Sequence, residues 1–321
     1  MKILLMPGLT LPEISTDDVA RIRAAAGSDA EVIVTTPAEA PKHAADAEVI
    51  LGPVPRQLLQ AAPRLRWVQA TSSGVDPFMY PEFCASNVIL TSEKGLVGEH
   101  LADHAFGLLL TLTRQLATTF RMGPDGWHQR PALRRQMVEL SGLTMGIIGF
   151  GGTGRAVARR AHAFGMHCQA IDRDAVPPSP EVAEVQRPTF FTKLLETSDV
   201  VAICCPLTQE TRNLFDDEAF THMKPGAFLV TVTRGEVIVE DALVRALQAR
   251  RIRGAALDVA PREPLPPDSA LWDMENVVMT PHTAGASQYR AGRNIDRFVR
   301  NIEHLRRNEP LEGVIDKQLG Y

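Results

Sequence analysis

The reading of this chain turns on Met145-Gly146-Ile147-Ile148-Gly149-Phe150-Gly151-Gly152-Thr153-Gly154. Met145 to Ile148 is an apolar run short enough for a buried strand. After the glycines, Val157, Ala158, Ala161 and Phe164 recur at helical spacing, and Gly165 supplies a stop. The glycines therefore fall on a strand-to-helix turn. Gly149 permits the tight turn, Gly151 lets backbone approach an anion, and Gly154 lets the helix close onto the strand. The helix start, led by Gly152 and Thr153, aims unpaired N–H groups at that anion. A further strand, His167 to Ile171, ends at Asp172, 18 positions beyond Gly154. An acid there accepts hydrogen bonds from adenosine ribose hydroxyls, so strand, turn, helix, strand and acid together read as a dinucleotide site.

Outward from this turn, strands and helices alternate from Leu143 onward, which argues for a parallel sheet. Further strands are expected at Val200 to Cys204, Ala227 to Val232, Gly254 to Val259 and Val277 to Thr280, with helices near 189–197, 214–222 and 239–250. Residues 1–98 read as a separate α/β unit. Its strands lie at Lys2 to Met6, Val32 to Val34, Val49 to Leu51 and Leu65 to Ala70, and its helices at Asp17 to Ala26 and Pro55 to Ala62. Glu99 to Phe120 reads as one long helix with a wide apolar face, Leu101, Ala105, Leu108, Leu109, Leu112 and Leu116. Residues 121–142 read as a connecting excursion, and about 286–307 as a last helix.

The 321 residues suit about two domains. A hydrophobic share of 45% and a net charge of −4 describe an ordinary globular protein without the basic excess that nucleic-acid binding needs. Arg250, Arg251 and Arg253 read as a solvated helix end. The cysteines Cys84, Cys168, Cys204 and Cys205 lack metal-ligand spacing, so no metal site is expected, and they suit a reduced, cytoplasmic compartment. Lys2 to Met6 is too short for a signal-peptide core, and no stretch is long and apolar enough to span a membrane.

Three polar residues stand where strands of the second sheet end: Arg234 after Ala227 to Val232, Glu263 after Gly254 to Val259, and His282 after Val277 to Thr280. Open α/β sheets bind ligands at this edge. A guanidinium holds a carboxylate by a two-pronged hydrogen bond. A histidine exchanges a proton near neutral pH, and a carboxylate on its other nitrogen fixes the tautomer. Beside a dinucleotide turn, that set suffices for hydride transfer to a keto acid.

Over nearly its whole length the chain resembles the D-isomer-specific 2-hydroxyacid dehydrogenase family. The matching stretches are Gly149 to Gly154 with Asp172, Pro206-Leu207-Thr208-Gln209-Glu210-Thr211, Thr233-Arg234-Gly235-Glu236-Val237, Ala256-Leu257-Asp258-Val259 with Glu263-Pro264-Leu265, Leu271-Trp272, Thr280-Pro281-His282-Thr283-Ala284-Gly285, and Thr71 to Asp76. The family often has Asn at Thr231, His or Asn at Cys204, and Glu at Asp103.

The resemblance implies a two-domain α/β protein. A Rossmann-type NAD-binding domain over 99–285 would be inserted in a flavodoxin-like substrate domain built from 1–98 and 286–321, with substrate in the cleft between. It implies an NAD-dependent oxidoreductase interconverting a D-2-hydroxy acid and its 2-keto acid. Arg234 would bind the substrate carboxylate, His282 would be the proton donor and Glu263 its partner. Backbone N–H groups of Ser73 and Gly74 would hold the other carboxylate oxygen. Cys205, Pro206, Thr233 and Asp258 would line the cofactor, Asp258 at the nicotinamide end. Helix 99–120 resembles the family's dimer-forming element, so a homodimer is expected. Asp172 favours NAD, while Arg173 leaves room for NADP. The Gly52 to Pro55 loop favours small or apolar acids. Two rivals are a cofactor-sensing binding protein of the same fold and a formate dehydrogenase; Glu263 argues against the latter, whose histidine pairs with Gln.

Overall fold

The computed structural model describes all 321 residues. The chain divides into two compact units, Met1–Val97 with Ala286–Tyr321, and Gly98–Gly285.

The first unit holds five parallel strands: β1 (Lys2–Leu5), β2 (Glu31–Val34), β3 (Val49–Leu51), β4 (Trp67–Gln69) and β5 (Ile89–Thr91), ordered β2-β1-β3-β4-β5. This is the flavodoxin-like doubly wound order. Its central strands are apolar runs because both faces are covered. Ile3, Leu5, Val49, Leu51 and Trp67 pack with Ile22, Ile295, Phe298 and Ile302 from helices Thr16–Ala26 and Arg290–Arg307. Leu4, Ile50 and Val68 face the shorter helices Arg56–Ala61 and Pro81–Ala85 through Leu58 and Phe83. Ser15 and Asp18 form a capping box at the start of the first helix. Glu93 is a buried carboxylate that accepts from Arg290 Nε at 2.9 Å and Asn294 Nδ2 at 2.8 Å, tying the last helix to the loop after β5.

The second unit holds seven parallel strands: β6 (Thr144–Ile148), β7 (His167–Ile171), β8 (Val185–Gln186), β9 (Val200–Ile203), β10 (Phe228–Thr231), β11 (Gly254–Leu257) and β12 (Val277–Met279). Their order is β12-β11-β10-β9-β6-β7-β8. Taking β6 as the first strand, this is the Rossmann order with one strand added at the far edge. The strand order reverses between β6 and β9, so the crevice outside their carboxyl ends is where this topology binds a ligand.

The expected helix Glu99 to Phe120 is two helices, Gly98–Thr113 and Leu116–Met122, broken at Gln115 with φ 56°. The break follows from how the last carbonyls are satisfied. The Gln115 side-chain amide donates to Leu112 O at 3.1 Å, and Val138 N donates to Thr113 O at 2.8 Å, where a continuing helix would place its own N–H groups. The apolar face of Gly98–Thr113 is core: Ala102, Ala105, Phe106, Leu109 and Leu112 pack with Ile147, Val157, Val230 and Ala256 of their own unit. The exposed large apolar side chains come after the break, with Phe120 77% and Trp127 78% exposed. The excursion that follows contains a helix, Arg130–Gln136. At the exposed end after helix Glu240–Gln248, Arg251 and Arg253 are also tethers, donating to Thr221 O and, at 2.5 Å, to Gln136 O. No helix is long and apolar enough to cross a membrane.

Candidate active site

Helix Gly152–Ala163 begins at Gly151, which has no side chain to cap it, so the first N–H groups of the helix are left for a ligand. The glycines differ in what requires them. Gly149 has φ 90°, and a Cβ there would lie 2.7 Å from Cys205 Cα, across the β6–β9 crevice. A Cβ on Gly154 would lie 2.1 Å from Gly149 O. Around Gly151 a Cβ would meet nothing within 4 Å. The first and third glycines are therefore demanded by packing. The second keeps open the space in front of the helix start, with Gly152 and Thr153 as the leading donors. This cradle fits a dinucleotide pyrophosphate.

Asp172 ends β7 as expected, and its carboxylate also braces the turn. Oδ2 accepts from Phe150 N at 2.7 Å and Oδ1 from Asp174 N at 2.9 Å. A carboxylate oxygen has two lone pairs, so each keeps capacity for a hydroxyl. Arg173 lies 3.5 Å from Glu210, an exposed pair that costs little to open. Glu210 belongs to the Pro206 to Thr211 turn. That turn closes on itself, with Thr208 N donating to Thr211 Oγ1 at 2.8 Å and Thr211 Oγ1 donating to Pro206 O at 2.7 Å. Burial pushes the Cys205 thiol up to about 12 and raises Cys204 as well, so neither is a nucleophile. Thr233 Oγ1 reaches Ile203 O at 3.4 Å, joining the ends of β10 and β9.

His282 and Glu263 meet: Nδ1 and Oε2 are 2.7 Å apart, both side chains partly exposed. A carboxylate only accepts, so Nδ1 carries the hydrogen and Nε2 is left for exchange with a substrate. Glu263 is itself aimed by Ala260 N, which donates to Oε1 at 3.1 Å. Arg234 is drawn to the same edge through its neighbour: a Cβ on Gly235 would lie 2.0 Å from the Ala260 carbonyl, so only glycine lets the two loops touch. Arg234 Nη1 donates to Thr233 O at 2.8 Å. Arg234, Glu263 and His282 thus follow three adjacent strands, β10, β11 and β12, at one edge of the sheet.

A match to the family described as D-isomer specific 2-hydroxyacid dehydrogenase, NAD binding domain, covers residues 106–284. The chain belongs to this family. A glyoxylate reductase of Korarchaeum cryptofilum is 34% identical over 279 residues, covering 84% of this chain and 82% of its own. An (S)-sulfolactate dehydrogenase of Chromohalobacter salexigens is 34% identical over 237 residues, covering 73% and 75%. Among solved structures, the NADPH-dependent glyoxylate/hydroxypyruvate reductase of Sinorhizobium meliloti, in complex with NADP and sulfate, aligns with a TM-score of 0.80 at 25% identity over 100% of both chains. The chain is an NAD(P)-dependent enzyme that interconverts 2-hydroxy and 2-keto acids.

The position expected at the nicotinamide end of this dehydrogenase is Asp258. Asp258 stands at the end of β11, but its side chain is fully buried. It accepts from Thr280 Oγ1 at 2.6 Å, Thr283 N at 2.8 Å and Ala284 N at 2.8 Å. Its oxygens hold the His282 loop, with three donors of the chain converging on them. Ser73 and Gly74 lie in the loop after β4, where Ser72 Oγ donates to Gly74 O at 2.7 Å and Thr10 Oγ1 donates to Thr71 O. Sequence reasoning missed His104, whose Nε2 is 2.8 Å from Thr280 Oγ1. The only signal was a histidine within an apolar helix. At the family's variable positions, Asp103 takes the Arg160 Nε at 2.8 Å, while Thr231 is buried with no partner for its hydroxyl.

Proposed function

We propose that this dehydrogenase reduces a small 2-keto acid to the D-2-hydroxy acid, with NAD preferred to NADP. The observation that carries the assignment is the 2.7 Å contact between His282 Nδ1 and Glu263 Oε2 at the strand edge that also bears Arg234. When bound, the nicotinamide supplies or accepts the hydride. Arg234 grips the substrate carboxylate by its paired N–H groups. His282 gives its Nε2 proton to the developing alkoxide, while Glu263 holds the ring and balances the imidazolium charge. Gly149, Gly151, Gly152, Thr153 and Gly154 receive the pyrophosphate. Cys205, Pro206 and Thr233 line the cofactor's path along the β6–β9–β10 edge. The free lone pairs of Asp172 select a 2′-hydroxyl over a 2′-phosphate, and Arg173, released from Glu210, accounts for residual NADP use.

The named activities of the relatives support glyoxylate, hydroxypyruvate and a sulfonated keto acid as the first candidates. The exposed Leu116, Phe120 and Trp127 support pairing with a second copy through the segment after the helix break, testable by sedimentation of the intact chain. Four unpaired thiols support a reduced, cytoplasmic setting. The deciding experiment is NADH and NADPH oxidation across glyoxylate, hydroxypyruvate, sulfopyruvate, pyruvate and phenylpyruvate, with His282→Ala as control. Absence of turnover with every acid, alongside tight NADH binding, would replace this reading with a cofactor-sensing protein.

A further inference from the structure

The following rests on the assignment of His282 as the proton-exchanging residue. His282 has φ 54°, a left-handed conformation that a non-glycine residue keeps only when its surroundings hold it. Asp258 does the holding. Its backbone carbonyl accepts from His282 N at 2.8 Å, its Oδ1 from Thr283 N at 2.8 Å and its Oδ2 from Ala284 N at 2.8 Å. Three successive N–H groups of the loop thus converge on one residue at the end of β11. The carboxylate is aimed in turn by Thr280 Oγ1, 2.6 Å from Oδ1. Since a carboxylate only accepts, Thr280 gives its single hydroxyl proton to Asp258 and must accept from His104 Nε2, 2.8 Å away. His104 Nε2 also lies 3.4 Å from Asp258 Oδ1.

We propose that His104 and Thr280 are positioning residues for proton transfer at His282. They fix the Asp258 carboxylate, and through it the strained loop that places His282 Nδ1 on Glu263 and leaves Nε2 free for the substrate. Neither residue touches the reacting atoms. The chain of contacts runs from the helix Gly98–Thr113, through a side chain on the exit from β12, to the catalytic loop, all inside one unit.

Thr280→Val removes the hydroxyl at nearly constant shape. In the full-length enzyme kcat for keto-acid reduction is expected to fall by about 10–100-fold, as small misplacements of a catalytic group do. KM for NADH should stay within about twofold of the unmodified enzyme, and Thr280→Ser should recover most of kcat. His104→Ala should lower kcat in the same direction. His104→Gln, whose amide nitrogen reaches the position of the imidazole Nε2, should restore it. His104 is partly exposed, so its variants carry the test if Thr280→Val fails to fold. A readout independent of turnover is the ¹⁵N-histidine spectrum of the unliganded protein. The His282 Nδ1–H signal should weaken in Thr280→Val and His104→Ala and return in His104→Gln. The proposal is overturned if both Thr280→Val and His104→Ala keep kcat within about twofold while deuterated NADH shows hydride transfer to be rate-limiting. It is also overturned if the serine and glutamine variants restore nothing. His282→Ala separates the two levels: full activity there removes the catalytic assignment, whereas an inactive His282→Ala beside a normal Thr280→Val removes only the positioning role.

Discussion

Replacing Gly154 with alanine should damage fold and cofactor binding together, by an amount the packing allows to be worked out. The new Cβ would lie 2.1 Å from Gly149 O, and both groups belong to backbone, so neither can rotate aside. Reaching even a tight contact requires the helix start and the end of β6 to part by roughly 1 Å, and overpacking of this kind costs about 1–3 kcal/mol. For a unit of this size each kcal/mol moves Tm by about 2–4 °C, so a fall on the order of 6–12 °C is expected at the upper end. The same 1 Å displacement moves the N–H groups of Gly152 and Thr153 off a bound pyrophosphate. Loss of two hydrogen bonds to a charged group, about 1.5–3 kcal/mol each, raises the NADH Kd by about two orders of magnitude or more. Calorimetry gives the first quantity and NADH fluorescence titration the second. Gly151→Ala is the companion, since a Cβ there meets nothing within 4 Å. Its melting should stay within about 0.5 kcal/mol of the parent while NADH binding weakens. Parental Tm and NADH affinity in Gly154→Ala would refute the packing argument. Parental NADH affinity in Gly151→Ala would refute the phosphate assignment.

Glu263→Gln should lower kcat by at least about tenfold with NADH affinity unchanged, because an amide cannot balance imidazolium charge; steady-state kinetics beside a binding titration checks it. Arg234→Lys should raise KM for the keto acid and lower kcat although charge is kept, since lysine lacks the planar fork, and neutrality in both parameters would make Arg234 structural. Asp172→Ser should weaken NADH and NADPH together through loss of the brace on Phe150 N, and NADH more; an improved NADPH kcat/KM with no loss for NADH would contradict the bracing role. Thr231→Val should hold stability or raise it by about 1 kcal/mol, because it deletes a buried hydroxyl with no partner, and a lowered Tm would reveal a partner such as a bound water.

The glycine turn and the Arg234–Glu263–His282 set are legible because local rules act on neighbours: an apolar run, a turn needing φ above zero, and polar residues where strands end. Other features lie beyond such rules. His104 meets Thr280 across 176 positions, and no spacing rule links them. Asp258 is readable as an acid at a strand end, but the direction of its carboxylate depends on a loop that closes 25 residues later, at Thr283. The break at Gln115 carries no glycine or proline; the tertiary bond from Val138 N to Thr113 O helps set it. Strand β8 is two residues long, too short for any alternation to register.

One helix acts as a gauge between the two chemistries of the site. A Cβ on Gly98 would lie 2.5 Å from Gly152 O, so the first turn of Gly98–Thr113 rests on the backbone of the cofactor cradle. His104, six residues on and about 9 Å along the axis, touches the network under His282. Inserting or deleting a single residue between them would turn His104 by about 100° away from Thr280. Length variation should therefore be absent from this stretch in working variants.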